Sequence, residues 1–436
     1  MLSLSSSAAI RRTSIFLLPE YLNAIQAPRV APMRTHLDIR KKCLSGYIQF
    51  PISTNTTHFL SMIIQLDKSS RRPFSSASAS FFNHDGKMIR KAVAAKNPEQ
   101  AELLLLSVHQ EWRKGHINQP PSIEQLHSVL QAWCHSSNPQ RAKDLLTKWN
   151  ELSDYTVGPL DFHFPNSVSY NLVIASICKT SQCEIAAKEA HALLDEMREK
   201  YASGIDEMQP NTLTFNSVMS TWVRLGKTDK VQVVWNDLYS DYLKDNTKDG
   251  KDYSTANKPD SRSFQFILDS LAESRSNPER AEELLGTMWE LNVAPTTKHY
   301  NSVLHGWVRF EGYHSGVRAE ALLAEMRDKG QAGDYRVPPD LNSFSTTIAA
   351  WSKSGHQDAV NKVESILEEM LDCCYYDRDL WPDTWSYNTV LRTIAQAQVS
   401  DKAERASRII RRMRANTVPS DSYTRELVRK CGSNWL

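Results

Sequence analysis

No stretch of this chain approaches the roughly 18 consecutive apolar residues that a membrane helix needs. The longest candidate, Phe59 to Leu66, is short and interrupted by polar residues. There is no Gly-rich phosphate loop, no His-Glu-x-x-His, no Cys-x-x-Cys pair and no Gly-x-Ser-x-Gly elbow, so the local signatures of nucleotide, zinc and serine chemistry are missing. The isolated His84 and Asp85 read as surface, and the chain is expected to be no enzyme, with no cofactor, metal or small-molecule substrate. Seven cysteines (Cys43, Cys134, Cys178, Cys183, Cys373, Cys374, Cys431) are scattered and odd in number. That excludes a disulfide framework, suggests a reducing compartment and leaves each as a small buried hydrophobe. With 15 glycines and 19 prolines in 436 residues, collagen-like and low-complexity chains are excluded as well.

A strong net charge is also missing, but the balance of +2 conceals an asymmetry. Residues 1–74 hold ten Lys and Arg against Glu20, Asp38 and Asp67, whereas the rest of the chain carries 42 basic and 47 acidic residues. A mildly acidic body is not the footprint of a non-specific nucleic-acid binder, so any such binding has to come from a local surface. Residues 1–82 are rich in Arg, Ser and Thr and poor in acids, the composition of a mitochondrial or plastid presequence. The run Arg71-Arg72-Pro73-Phe74-Ser75-Ser76 resembles a mitochondrial cleavage context, which makes the mitochondrion the expected address and the plastid the alternative.

From Pro121 onward one pattern keeps returning. Pro165-Asn-Ser-Val-Ser-Tyr-Asn-Leu-Val-Ile is followed by Pro210-Asn-Thr-Leu-Thr-Phe-Asn-Ser-Val-Met, and further copies open at Pro259, Pro295, Pro339 and Pro382, with a degenerate one at Pro419. Each opening is a helix start, because proline breaks a helix interior and the Asn, Asp, Ser or Thr after it suits an N-cap. This first helix, A, carries an aromatic at one fixed position (Tyr170, Phe215, Phe264, Tyr300, Phe344, Tyr387) and a bulky apolar residue further on, such as Trp133, Trp222, Trp307 or Trp351.

A second helix, B, follows with apolar residues at i, i+3, i+4 and i+7, as in Ala190/Leu193/Leu194/Met197 and Ala319/Leu322/Leu323/Met326. A copy at Ala101/Leu104/Leu105/Val108 adds half a repeat before the first full one. A two-helix unit this small cannot bury its apolar stripes alone; stacked neighbours can. The expected fold is therefore all-α, a right-handed α-solenoid superhelix of helix–turn–helix repeats with the A helices on the concave side. Residues 1–82 form the leader, 83–122 a partial or capping repeat, 123–420 the array and 421–436 a degenerate capping helix. Repeat starts near 123, 167, 212, 261, 297, 341 and 384 are unevenly spaced, with the excess in polar stretches such as Lys244 to Lys258.

The string Pro-Asp/Asn-x-x-Ser/Thr-Tyr/Phe-Asn-x-Val/Leu-Ile/Leu followed by Ala-x-x-Leu-Leu-x-x-Met resembles the pentatricopeptide repeat, over about 330 residues from Ile123 nearly to the end. The resemblance implies binding of single-stranded RNA in an organelle, in RNA processing, stability or translation, beside other RNA-processing proteins. It implies that two positions per repeat read one base: the fifth residue of helix A and the last residue before the next helix A. Carried over, these are His127 with Asn166, Asn171 with Asn211, Asn216 with Asp260, Gln265 with Thr296, Asn301 with Asp340, Ser345 with Asp383 and Asn388 with Ser420. Short amides, hydroxyls and carboxylates can bond the Watson–Crick edge of an unstacked base. The implied target for repeats two to seven is Y-U-?-U-G-Y, with the bases for His127/Asn166 and Gln265/Thr296 left open.

N-capping alone could account for the second of those columns. The interior asparagines are harder to dismiss, since Asn is a poor helix former, and RNA contact is the expected reason for them, ahead of hydrogen bonding between repeats. Eight residues beyond the fifth position lie His135, Lys179, Arg224, Glu273, Arg309, Lys353 and Gln396. Lys179, Arg224, Arg309 and Lys353 could hold phosphates, which position a strand without specifying it; solvated charge near a helix end serves as well. The acidic excess is expected on the outer face of the B helices, as at Glu196, Glu282 and Glu325. The alternative function is a protein–protein interaction scaffold on the same concave face.

Overall fold

The computed structural model describes residues 86–432 apart from 118, 137, 155–163, 181–182, 248–256, 276, 335 and 375–379. The segment 1–82, expected to be a leader, lies outside the described residues. Every regular element described is helical. A short helix at 86–94 (α1) and Pro98–Arg113 (α2) precede seven A/B pairs. The A helices are Ile123–His135 (α3), Ser167–Thr180 (α5), Thr212–Arg224 (α7), Ser261–Glu273 (α9), Thr297–Phe310 (α11), Leu341–Lys353 (α13) and Thr384–Gln396 (α15). The B helices are Pro139–Asp154 (α4), Glu184–Ala202 (α6), Thr228–Thr247 (α8), Pro278–Glu290 (α10), Ser315–Gln331 (α12), Ala359–Cys374 (α14) and Lys402–Ala415 (α16). A last A-type helix, Ser422–Lys430 (α17), closes the stack.

The A helices start where they do because of their caps. Ser122, Asn211, Asp260, Thr296, Asp340 and Asp421 each form a capping box with the residue three further on, and Asn166 and Asp383 accept from the N–H groups of Ser169 and Ser386. Two orphan donors of the first turn are thereby satisfied. The turn from α7 into α8 closes on Gly226 at φ +63°, a left-handed conformation that costs glycine nothing.

Each A helix packs on its own B helix, on the B helix before it and on the A helices to either side. Tyr170, Phe215, Phe264, Tyr300, Phe344 and Tyr387 are fully buried, and the core runs as a nearly continuous ribbon from Ile89 to Cys431. Burying one such side chain contributes about 1.5–3 kcal/mol, so apolar stripes hold the stack together. The tyrosines add a polar anchor: Tyr300 donates to Glu325 at 2.7 Å and accepts from Lys329 at 2.9 Å. Trp133 and Trp307 donate their indole N–H to Glu102 and Glu282 of the preceding B helix at 2.8 and 2.6 Å.

Successive B helices meet through ion pairs instead, such as Lys143–Glu189 and Lys362–Glu320 at 2.8 Å, Arg198–Asp237 at 3.0 Å and Arg412–Glu368 at 2.6 Å. The closer approach of the A helices makes theirs the shorter arc and the inner side of the stack. Several acids expected on the outer face are therefore engaged: Glu196 and Glu325 accept from Tyr170 and Tyr300, and Glu282 pairs with Trp307 and Arg318. Among the described cysteines Cys178 and Cys431 are buried, Cys134 and Cys373 are half-buried, and Cys183 departs from the expected burial, standing exposed at the N-cap of α6.

Candidate nucleic-acid interface

Along the inner side the fifth residue of every A helix from α3 to α15, α9 excepted, meets the cap of the next A helix directly or through a hydroxyl. Asn216 Nδ2 donates to Asp260 Oδ1 at 3.0 Å. Ser263 Oγ lies 2.7 Å from Asn216 Oδ1 and 2.9 Å from Asp260 Oδ1, so its single proton serves one of the two. Asn301 repeats the arrangement with both oxygens of Asp340, at 3.1 and 3.2 Å, and with Ser343 Oγ at 2.7 Å. His127 Nε2 sits 3.1 Å from Asn166 Oδ1 and 2.9 Å from Ser169 Oγ, and burial pushes its pKa down.

Other pairs are joined through an intermediate. The Thr214 hydroxyl lies between Asn171 and Asn211. Ser345 Oγ meets Ser386 Oγ at 2.8 Å, which in turn lies 2.7 Å from Asp383.

Asn216, Asn301 and Asn388 are 3%, 6% and 6% exposed, lodged in the seams between A helices, where each hydrogen-bonds the cap of the next repeat. A half-satisfied amide there costs about 1–3 kcal/mol, so these bonds also hold the repeats in register. The cap carboxylates Asp260, Asp340, Asp383 and Asp421 stay exposed at the mouth of each seam.

Two of the implied pairs are not brought together. Asn388 meets Asp421, at 3.3 and 3.4 Å, and not Ser420, because one extra residue separates Pro419 from the cap of α17. Hydrogen bonds from the backbone and hydroxyl of Thr424, with a further one from Asn388, hold the Asp421 carboxyl below the usual carboxylate range. Gln265 does not meet Thr296. Its amide runs along its own helix to Asp269 and across to Ser302 Oγ at 2.7 Å, while Thr296 is taken by the His299 ring, 2.8 Å from its hydroxyl.

The cations expected to hold phosphates are largely engaged within the protein. Arg309 pairs with Glu273 at 2.8 Å and Lys353 with Glu311 at 2.7 Å, and Arg224 donates to the Cys178 carbonyl. Lys179 is exposed.

A further column was not read from the sequence: the second residue of each A helix, which flanks the seam. Val168, Leu213, Trp385 and Tyr423 are 48%, 63%, 51% and 42% exposed, and Arg262 and Lys298 occupy the same position. The available signal was an apolar or aromatic residue directly after the first helical position, where burial gives no reason for it. Trp385 and Tyr423 flank a cavity of about 490 Å³ that Asn388, Asp421, Thr389 and Arg392 line. That size and mixture of surfaces suit a small planar ligand.

No family model matches the chain. A pentatricopeptide repeat-containing protein of Arabidopsis thaliana is 27% identical over 157 residues, 36% of this chain and 24% of that relative, so the match spans about a quarter of the relative's length. The structure of the pentatricopeptide repeat protein PPR10 from maize matches at 16% identity with a TM-score of 0.41, over 86% of this chain and 50% of that one. PPR10 in complex with an 18-nt psaJ RNA element matches at 16% identity with a TM-score of 0.23, over 85% and 65%. The recurring motif and the helix pairs it folds into are similar to those of pentatricopeptide-repeat proteins, and the Arabidopsis relative shares that similarity over 36% of this chain.

Proposed function

We propose that the chain binds single-stranded RNA along the inner side of its A helices and reads bases at the seams between them. The observation that carries this reading is the last seam, where an amide and a carboxylate (Asn388 and Asp421) form the floor of a slot flanked by Trp385 and Tyr423. Exposed rings suit base stacking, which contributes about 1–3 kcal/mol per base. Uracil offers a ring N–H to a carboxylate and a carbonyl to an amide, so each Asn/Asp seam suits U. With Asp421 in place of Ser420, the motif implied for repeats two to seven becomes Y-U-?-U-G-U.

The leader's composition supports action in an organelle, the mitochondrion before the plastid, in RNA processing, stability or translation. Residues 1–82 fused to a fluorescent protein should enter mitochondria; a diffuse cytosolic signal would overturn that part.

Equilibrium binding of the full chain to a U-containing oligonucleotide at two salt concentrations tests the central reading. Affinity should fall steeply with salt, as phosphate contacts require. The acid-rich body and the buried amides favour a second reading, a protein-binding scaffold. Failure to retain RNA even at low salt would select it.

A further inference from the structure

The seam between α9 and α11 differs from the others in three independent respects. Its reader is missing, because Gln265 is turned toward Asp269 and Ser302 and is 8% exposed. Its cap is closed: His299 Nδ1 accepts from the Thr296 backbone N–H at 3.0 Å, which leaves the proton on Nε2 to donate to the Ser261 carbonyl at 2.8 Å. Both ring nitrogens are thus committed in the neutral form, and burial lowers the pKa of the ring accordingly.

Third, the side chains flanking this seam are cations. Arg262 and Lys298 stand exposed where Val168, Leu213, Trp385 and Tyr423 stand elsewhere. Together with Asp260, Ser261, Gln265, Thr296 and His299 they line a cavity of about 370 Å³. The one acid there, Asp260, is committed to Asn216 and to the capping of its own helix. Among the described residues neither Arg262 nor Lys298 is held in an ion pair, in contrast to Arg309 and Lys353 at the far ends of the A helices. The Arg262 guanidinium lies over the Phe266 ring, 5.6 Å from its centroid. A face with two cations and no open base-reading pair attracts a phosphate and makes no distinction among bases.

We propose that this seam is a phosphate-binding station that grips the strand backbone between Arg262 and Lys298 and leaves one nucleotide unread. The ligand is then a bipartite single strand: two read segments, set by the seams before α9 and after α11, separated by one degenerate position. This rests on the RNA-binding reading above and adds to it where specificity is absent.

The test is selection from a random RNA pool with the full chain, followed by salt titration of the selected oligonucleotide. The wild type should return a motif with one uninformative position inside it. Arg262→Gln with Lys298→Gln should weaken binding about tenfold, equally for all sequences, and lower the salt slope by about one unit. A motif without an internal gap, or an unchanged salt slope in the double variant, would overturn the station. If the wild type selects no RNA at all, the parent reading fails instead, which is a distinct result.

Discussion

Asn301 donates its amide to both carboxylate oxygens of Asp340 on the following A helix, and the carbonyl of the same amide accepts from Ser343. One side chain thus ties the helix of one repeat to the cap of the next. Its net contribution is small beside the apolar core, but leaving partners unmet is expensive. Asn301→Ala should destabilise the array by about 1–3 kcal/mol in chemical denaturation, with helical content unchanged at zero denaturant. Asn301→Asp sets carboxylate against carboxylate and should cost more; equal stability of both variants and wild type would mean the seam bonds do not fix the register.

Trp385 and Tyr423 are about half exposed, so their removal should barely affect folding. Trp385→Ala should lower RNA affinity by about 1–3 kcal/mol while shifting the unfolding midpoint little. A variant that binds as the wild type does would remove the slot from the interface.

Gly316 is the second residue of α12, with its hydrogens against the Trp351 ring, and a Cβ there would overlap ring atoms. Helix propensity favours Ala over Gly by about 1 kcal/mol, but overpacking costs about 1–3 kcal/mol. Gly316→Ala should therefore destabilise, the reverse of what propensity alone gives. A raised unfolding midpoint would show that the ring can move aside.

His109 is buried between Trp112 and Trp149, with ring centroids 5.8 and 5.6 Å away, and burial, with a smaller contribution from Arg113, lowers its pKa to about 4. The unfolded chain takes up a proton near pH 6.5 while the folded one does not until about 4. Stability is thus fully present above pH 6.5 and is lost as pH falls through that window. Thermal unfolding from pH 7.5 to 4.5 should show the loss, and His109→Phe should flatten it; an identical slope in the variant would assign the loss to other groups.

The fold was legible because its signals are local. A proline and a cap residue start each A helix, and the i, i+3, i+4, i+7 stripe marks each B helix, so eight copies repeat the same statement. The pairing of Asn216 with Asp260 and of Asn301 with Asp340 was implied by the resemblance to the pentatricopeptide repeat, and a hydrogen bond joins each pair. Asn388 escaped it because Pro419-Ser420-Asp421 carries one residue more than Pro382-Asp383. Gln265 escaped it because its longer side chain reaches Ser302, a residue of the next helix that spacing does not single out. That the asparagines are nearly buried was not legible either, since helical position fixes which face a residue occupies and not how closely the neighbouring helix covers it.

The most direct measurement is the RNA motif selected by the full chain and by its Asp340→Asn variant, in which the cap is kept and only the carboxylate changes. Seam reading predicts that one position of the motif changes and the others stay. An identical motif from both proteins, or changes spread across all positions, would contradict it.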